Sequence, residues 1–206
     1  MFGTKPTFAF KQLPQLRIRK LLRILFIDDN QVPKADALRG HGYNVFHKSD
    51  ISSLTEIEND EFHIIFCDIG GVGKSIGAED EGAGLIRAIK KKVSYPVVIA
   101  YSASSYQPGS SHESTMREIA DGVILKDAPV GEYVQLLDDW GPKVFSADRC
   151  LKILSEMTGR SDVNLRSDIL KPKNGASIES SIQGIKNLAE GAKTVLSIIE
   201  MLRSVS

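Results

Sequence analysis

Ile24-Leu25-Phe26-Ile27-Asp28-Asp29 is the stretch on which the fold turns. Its four apolar residues run straight into two adjacent carboxylates. A short apolar run bounded by turn formers suits a strand buried on both faces. The acidic pair then falls at the carboxyl end of that strand, where open α/β sheets bind ligands. Adjacent like charges are unfavourable unless a cation or a proton joins them. By itself the pair is either a metal site or a solvated turn.

Outward from this strand (residues 23–27) the same pattern returns. Residues 43–47 alternate as a second strand. His63-Ile64-Ile65-Phe66-Cys67 is a third, and it also ends on a carboxylate, Asp68. Residues 96–101 form a fourth, ending at Ser102, and Val123-Ile124-Leu125 a fifth, ending at Lys126. Helical patterns lie between them. Pro33 opens the first, which Gly40 and Gly42 stop. Ile51, Leu54 and Ile57 recur at three-residue spacing. A Gly-rich loop over residues 69–84 precedes a helix through Leu85, Ile86 and Ile89 into Lys90-Lys91-Lys92. A short helix is expected at 116–120, and another through Val130, Val134 and Leu137, closing near Trp140-Gly141-Pro142. Strands alternating with helices predict an α/β, doubly wound parallel sheet of five strands. Right-handed crossovers put the strand ends on one edge. On that edge fall Asp28, Asp29, Asp68, Ser102 and Lys126.

Three carboxylates in one pocket repel unless a divalent cation is present. Hard oxygen donors with room for water suit Mg²⁺, which favours phosphate oxygens as co-ligands. Asp68 is then an oxygen nucleophile toward phosphorus, Lys126 a fixed cation for phosphoryl oxygens, and Ser102 a hydrogen-bond donor to one of them.

Ile27-Asp28-Asp29, Phe66-Cys67-Asp68, Tyr101-Ser102-Ala103 and Leu125-Lys126 together resemble the motifs of the CheY-like receiver domain of two-component response regulators. The resemblance covers roughly residues 22–140. It implies a flavodoxin-like sheet of order 2-1-3-4-5. It also implies phosphoryl transfer to Asp68 from a sensor histidine kinase or phosphotransfer protein. Mg²⁺ would be held by Asp28, Asp29, Asp68 and the Gly70 backbone carbonyl, with Ser102 and Lys126 as switch residues. The implied output is protein–protein interaction, not a classical enzymatic turnover. Departures accompany the match. Asp127 follows the lysine where the family usually has proline. Val123 stands where a switch aromatic is usual. The loop after Asp68 is long. Gly70 and Ser104 offer no side chain suited to guiding an attacking water, so slow self-dephosphorylation is expected. These departures keep open a degenerate receiver that acts as a phosphate-independent binding scaffold.

Gly70-Gly71-Val72-Gly73-Lys74-Ser75 imitates part of a Walker A loop, but Asp68 occupies the position of its first glycine. A P-loop-like nucleotide-binding protein is therefore a weaker alternative.

Composition narrows the remaining choices. Net charge is zero over 206 residues, so no global pull toward nucleic acid or membrane exists. No apolar run reaches the ~20 residues of a membrane span. Two cysteines, Cys67 and Cys150, make no disulfide framework and suit a reducing cytoplasm. The four histidines show no metal spacing, and none follows His112, which excludes a C-terminal histidine phosphotransfer module. The chain divides into an N-terminal arm (1–22) read as a surface extension, a receiver domain (23–140) and a helical extension (141–206). Within the last, residues 146–158 read as a helix ending at Gly159. Ile178, Ile182, Ile185, Ala189, Ala192, Leu196 and Ile199 form a heptad seam, which Leu188, Val195 and Leu202 widen. Residues 178–202 therefore need a partner: the rest of this chain, a second copy in a homodimer, or another protein. No helix-turn-helix or basic recognition stripe points to DNA.

Overall fold

A computed structural model describes residues 13–103, 116–161, 164–165 and 190–204. The order is α1 (Gln15–Leu21), β1 (Arg23–Ile27), α2 (Pro33–Gly40), β2 (Asn44–Lys48), α3 (Thr55–Asn59), β3 (Ile64–Asp68), α4 (Glu81–Lys92), β4 (Val97–Ser102), β5 (Gly122–Leu125), α5 (Val130–Val144), α6 (Ala147–Thr158) and α7 (Glu190–Ser204). A single 3-10 turn, Lys74–Ile76, interrupts the loop between β3 and α4, and residues 116–119 are helical.

The sheet is parallel, with strand order β2-β1-β3-β4-β5. Its register sets Leu25 opposite Ile65 and Ile65 opposite Val98. Every residue of β3 and β4 is buried, as is β1 after Arg23. That is why these strands read as continuous apolar runs: helices cover both faces. Phe26 and Phe66, side by side in the register, stack with centroids 4.5 Å apart. The chain lays down β1, moves outward to β2, then crosses back to β3. The carboxyl ends of β1 and β3 therefore flank the point where winding reverses, and a crevice opens there.

Several expected boundaries move, each for a physical reason. The arm before β1 is a packed helix in its described part, not a surface extension. Leu13, Ile18 and Leu22 are buried, and α1 lies against α5 and β2. Arg19 and Gln15 donate to Asp138 of α5 at 3.0 and 2.5 Å, and Tyr43 adds its hydroxyl to the same carboxylate. Gly141-Pro142 is not a break, because α5 continues to Val144. A Cβ on Gly141 would overlap Ile18, so this glycine permits the close approach of α1. α3 starts only at Thr55. Before it, the Asp50 carboxylate accepts the Ile51 amide and Glu56 Oε1 accepts the amides of Ser52 and Ser53, a local alternative to helix. α4 starts at Glu81, earlier than expected. Gly82 belongs to the helix, and a side chain there would overlap the Asp68 carbonyl.

Beyond the sheet, Ser146 caps α6 by accepting the Arg149 amide, and Gly159 at φ 65° closes it. α7 packs on α6 and α3. Its Val195, Leu196, Ile198, Ile199 and Leu202 are buried, as are Cys150, Leu151, Ile153 and Leu154 of α6. Burying such side chains is worth roughly 1.5–3 kcal/mol each. Val195, Leu196, Ile199 and Leu202 of the 178–202 seam thus turn their side chains inside the molecule. Residues 178–189 lie outside the described residues. No helix among the described residues is long and apolar enough to cross a membrane.

Candidate functional site

Asp28 follows β1 directly and Asp68 closes β3, so the two strands flanking the crevice each deliver a carboxylate. Oxygens of Asp28, Asp29 and Asp68 all lie within 4.8 Å of one another. Asp28 is 1% exposed and Asp68 6%, whereas Asp29 faces solvent. The turn after β1 holds this arrangement: Asn30 donates its backbone amide to Asp28 Oδ1 at 2.9 Å and its side-chain amide to Asp29 Oδ1 at 2.7 Å. From the β3 side the Gly70 amide donates to Asp68 Oδ1 at 3.3 Å. The His47 ring meets the Asp28 carbonyl, with Nε2 at 2.8 Å.

Lys126 enters from just beyond β5. Its ammonium donates to Asp28 Oδ2 at 2.7 Å and to Asp68 Oδ2 at 2.6 Å, and stands 5.0 Å from the Tyr101 ring centroid. Its own amide donates to the Ser102 carbonyl at 2.6 Å, tying the ends of β4 and β5 together. One cation thus serves two buried carboxylates while a third waits at the rim. Burial raises the Asp68 carboxyl above its ordinary value, and the bonds from Lys126 and Gly70 offset this only in part. Burial acts on Lys126 in the lowering sense, but its bonds to Asp28 and Asp68 prevail and raise it. Both partners hold protons more tightly than usual because one ammonium cannot compensate two desolvated carboxylates. An all-oxygen set with excess negative charge fits a hard divalent cation such as Mg²⁺.

Ser102 is buried at the same edge. The β3–β4 register pairs Asp68 with Tyr101, so Ser102 lies one residue beyond, and its hydroxyl donates to the Ala103 carbonyl at 3.1 Å. Val123 is half-buried in β5. Among the described residues no peptide is cis, so the bond from Lys126 to Asp127 is trans. Ser104 lies outside the described residues. The structure therefore gathers Asp28, Asp29, Asp68, Gly70, Ser102 and Lys126 on one edge; Lys126 bonds to Asp28, Asp68 and the Ser102 carbonyl, Gly70 bonds to Asp68, and Asp29 stands beside them.

The Walker-like loop has a different occupant from phosphate. Asp50 accepts the amides of Gly73 at 2.8 Å and Ser75 at 3.2 Å. Glu81 Oε2 accepts the Gly71 amide at 2.9 Å. A three-residue 3-10 turn follows Gly73, not a helix that presents free amides to an anion. The P-loop reading fails on these contacts. Lys74 pairs with Glu81, at 3.6 Å.

Asn30, His47, Asp50, Glu81 and Tyr101 were not singled out from sequence. Asp50 had a signal: it follows β2 by two residues, so the second strand also delivers a carboxylate to this edge. Tyr101 had one as well, its place directly before Ser102; in the structure its ring meets Phe26 and Tyr133 edge-on.

No protein-family model matches the chain, and no curated protein matches it. Among solved structures, many similar ones are receiver domains. A CheY-like response regulator receiver domain from Methanospirillum hungatei is 21% identical, covering 60% of this chain and 96% of its own, with a TM-score of 0.49. A response regulator from Thermotoga maritima is 19% identical over 57% of this chain and 98% of its own, with a TM-score of 0.45. The BeF3-activated N-terminal receiver domain of RstA from Klebsiella pneumoniae is 19% identical over 56% and 94%, with a TM-score of 0.46.

Proposed function

We propose that this chain is a response-regulator receiver whose Asp68 accepts a phosphoryl group from a sensor histidine kinase or phosphotransfer protein, in a Mg²⁺-dependent reaction, and which signals through protein–protein contacts in the cytoplasm. The observation that carries this reading is the convergence of Asp28, Asp29 and Asp68, with Lys126 bonded to two of them, at the winding switch of the sheet. Asp28, Asp29, Asp68 and the Gly70 carbonyl would hold Mg²⁺, which would supply positive charge to offset that developing on the phosphoryl group. An Asp68 oxygen attacks phosphorus while the P–N bond of the phosphohistidine breaks and the imidazole leaves with the bonding pair. Asp68 becomes an acyl phosphate. Lys126 then exchanges its bond to Asp68 for one to a phosphoryl oxygen, and the Ser102 hydroxyl turns from the Ala103 carbonyl to another. That turn transmits the change to the chain after Ser102.

Acetyl phosphate with Mg²⁺ should add one phosphoryl group to the purified chain, seen by intact mass, and none to Asp68→Asn. Absence of the adduct in the wild type would contradict the reading. A second reading rests on Val123 and Asp127: a scaffold whose partner binding ignores phosphate. It predicts equal partner affinity for wild type and Asp68→Asn.

A further inference from the structure

The acidic pocket has a wall whose purpose the phosphoryl reading leaves unexplained. Between β3 and α4 the chain runs through a long glycine-rich loop, residues 69–80, and two carboxylates from outside the pocket fasten it. Asp50, from beyond β2, takes the amides of Gly73 and Ser75 as well as that of Ile51. Burial alone would raise the Asp50 carboxyl, but those amides hold it below its ordinary value. Glu81, the first residue of α4, takes the Gly71 amide and the Lys74 ammonium. It does so at φ 47°, in the left-handed region that a side chain disfavours. Gly71 sits at φ 81°, and a Cβ on it would overlap the Asp29 carboxylate. The fastened loop therefore presses its backbone onto the exposed carboxylate of the cluster, and only glycine fits.

We infer that Asp50 and Glu81 are positioning residues for the cation site: by gripping the amides of Gly71, Gly73 and Ser75 they hold the Gly70–Gly71 backbone and Asp29 in the arrangement that binds Mg²⁺. The inference rests on the receiver reading above. Neither residue belongs to the carboxylate cluster, so each acts through the loop. Groups that orient the ligands of a metal typically change its affinity about 10–100-fold when removed.

Calorimetric titration of the full chain with Mg²⁺, at a temperature where circular dichroism shows each variant folded, separates the possibilities. Glu81→Ala should weaken Mg²⁺ about tenfold or more. Glu81→Gln keeps an acceptor for the Gly71 amide and should recover most of the affinity. Lys74→Ala removes the charge partner but not the amide bond, and should match wild type. If Glu81→Ala does not fold, Asp50→Ala serves in its place and should also weaken Mg²⁺ while exposing the Gly73 amide to faster hydrogen exchange. Wild-type affinity in Glu81→Ala and Asp50→Ala would overturn this inference and leave the receiver reading standing. No Mg²⁺ binding by the wild type would overturn the receiver reading, and this inference with it.

Discussion

The two ends of the sheet solve opposite problems. At the carboxyl edge the chain gathers like charges: Asp28 and Asp68 are buried, Asp29 is at the rim, and among the described residues Lys126 is the one cation bonded to the pair. At the amino end several polar groups pair with neutral partners. His63, just before β3, accepts the Arg23 amide at Nδ1 (3.0 Å), which leaves its ring neutral with the proton on Nε2. Phe145 covers that ring at 5.1 Å between centroids, and Arg149 is bonded to the Tyr95 carbonyl at 2.6 Å. The helices appended to the sheet, α1, α6 and α7, bury apolar side chains within the molecule, among them Ile18, Leu154 and Leu196. One end stores electrostatic imbalance that a cation can relieve. The other contributes the stability that tolerates it.

This contrast predicts that mutations at the two ends separate stability from phosphoryl chemistry. The largest stability effect should come from the sealed end. Leu154→Ala, in α6 beneath α7, should cost about 2–5 kcal/mol in denaturant unfolding. Its uptake of a phosphoryl group should be unchanged in conditions where it stays folded. Loss of both together would mean that the two ends are not independent.

Next is the titration of His63. Burial, helped by the nearby charges of Arg23 and Arg149, pushes the ring down to about 4 from its ordinary 6.5. Its folded value lies below its unfolded one, so its contribution is fully present above pH 6.5 and is lost as pH falls toward 4. The sum over that window is roughly 3 kcal/mol by linkage. His63→Gln should flatten the fall in unfolding free energy between pH 7 and about pH 4; an unchanged slope would place the acid sensitivity elsewhere.

The smallest effect, and the most specific to the carboxyl edge, concerns Lys126. Lys126→Met leaves Asp28 and Asp68 facing each other without their shared ammonium. Without metal it should lose about 1–3 kcal/mol at pH 7. Mg²⁺ should restore more stability to this variant than it adds to wild type. Equal Mg²⁺ responses would show that the lysine and the cation do not answer the same charge.

How much of this was legible beforehand follows from what each feature depends on. β1, β3 and β4 announced themselves because a strand covered on both faces must be apolar throughout, and Asp28, Asp68, Ser102 and Lys126 followed as the first polar residues at or just past each strand end. The fastening of the pocket was not legible. Asp50, two residues past β2, was legible as a carboxylate at this edge, but that place in the chain does not signal its meeting with the loop at Gly73. Glycines misled in the same way. Gly82 and Gly141 read as breaks, but each sits inside a helix because another part of the chain, the Asp68 carbonyl or Ile18, comes too close for a Cβ. α1 was missed because its burial depends on that contact with α5, not on a pattern of its own. That residues 178–202 need a partner is legible in their seam; that α7 meets α3 and α6 depends on where those helices sit.

Beryllofluoride binding tests the central claim most directly, because it occupies an aspartyl phosphate site without needing a kinase. Titrated with Mg²⁺ and followed by ¹⁹F NMR, the wild-type chain should give a bound trifluoroberyllate signal that requires Mg²⁺ and vanishes in Asp68→Asn. A folded wild-type chain that gives no bound signal at saturating Mg²⁺, or a signal that persists in Asp68→Asn, would contradict the assignment of Asp68 as phosphoacceptor.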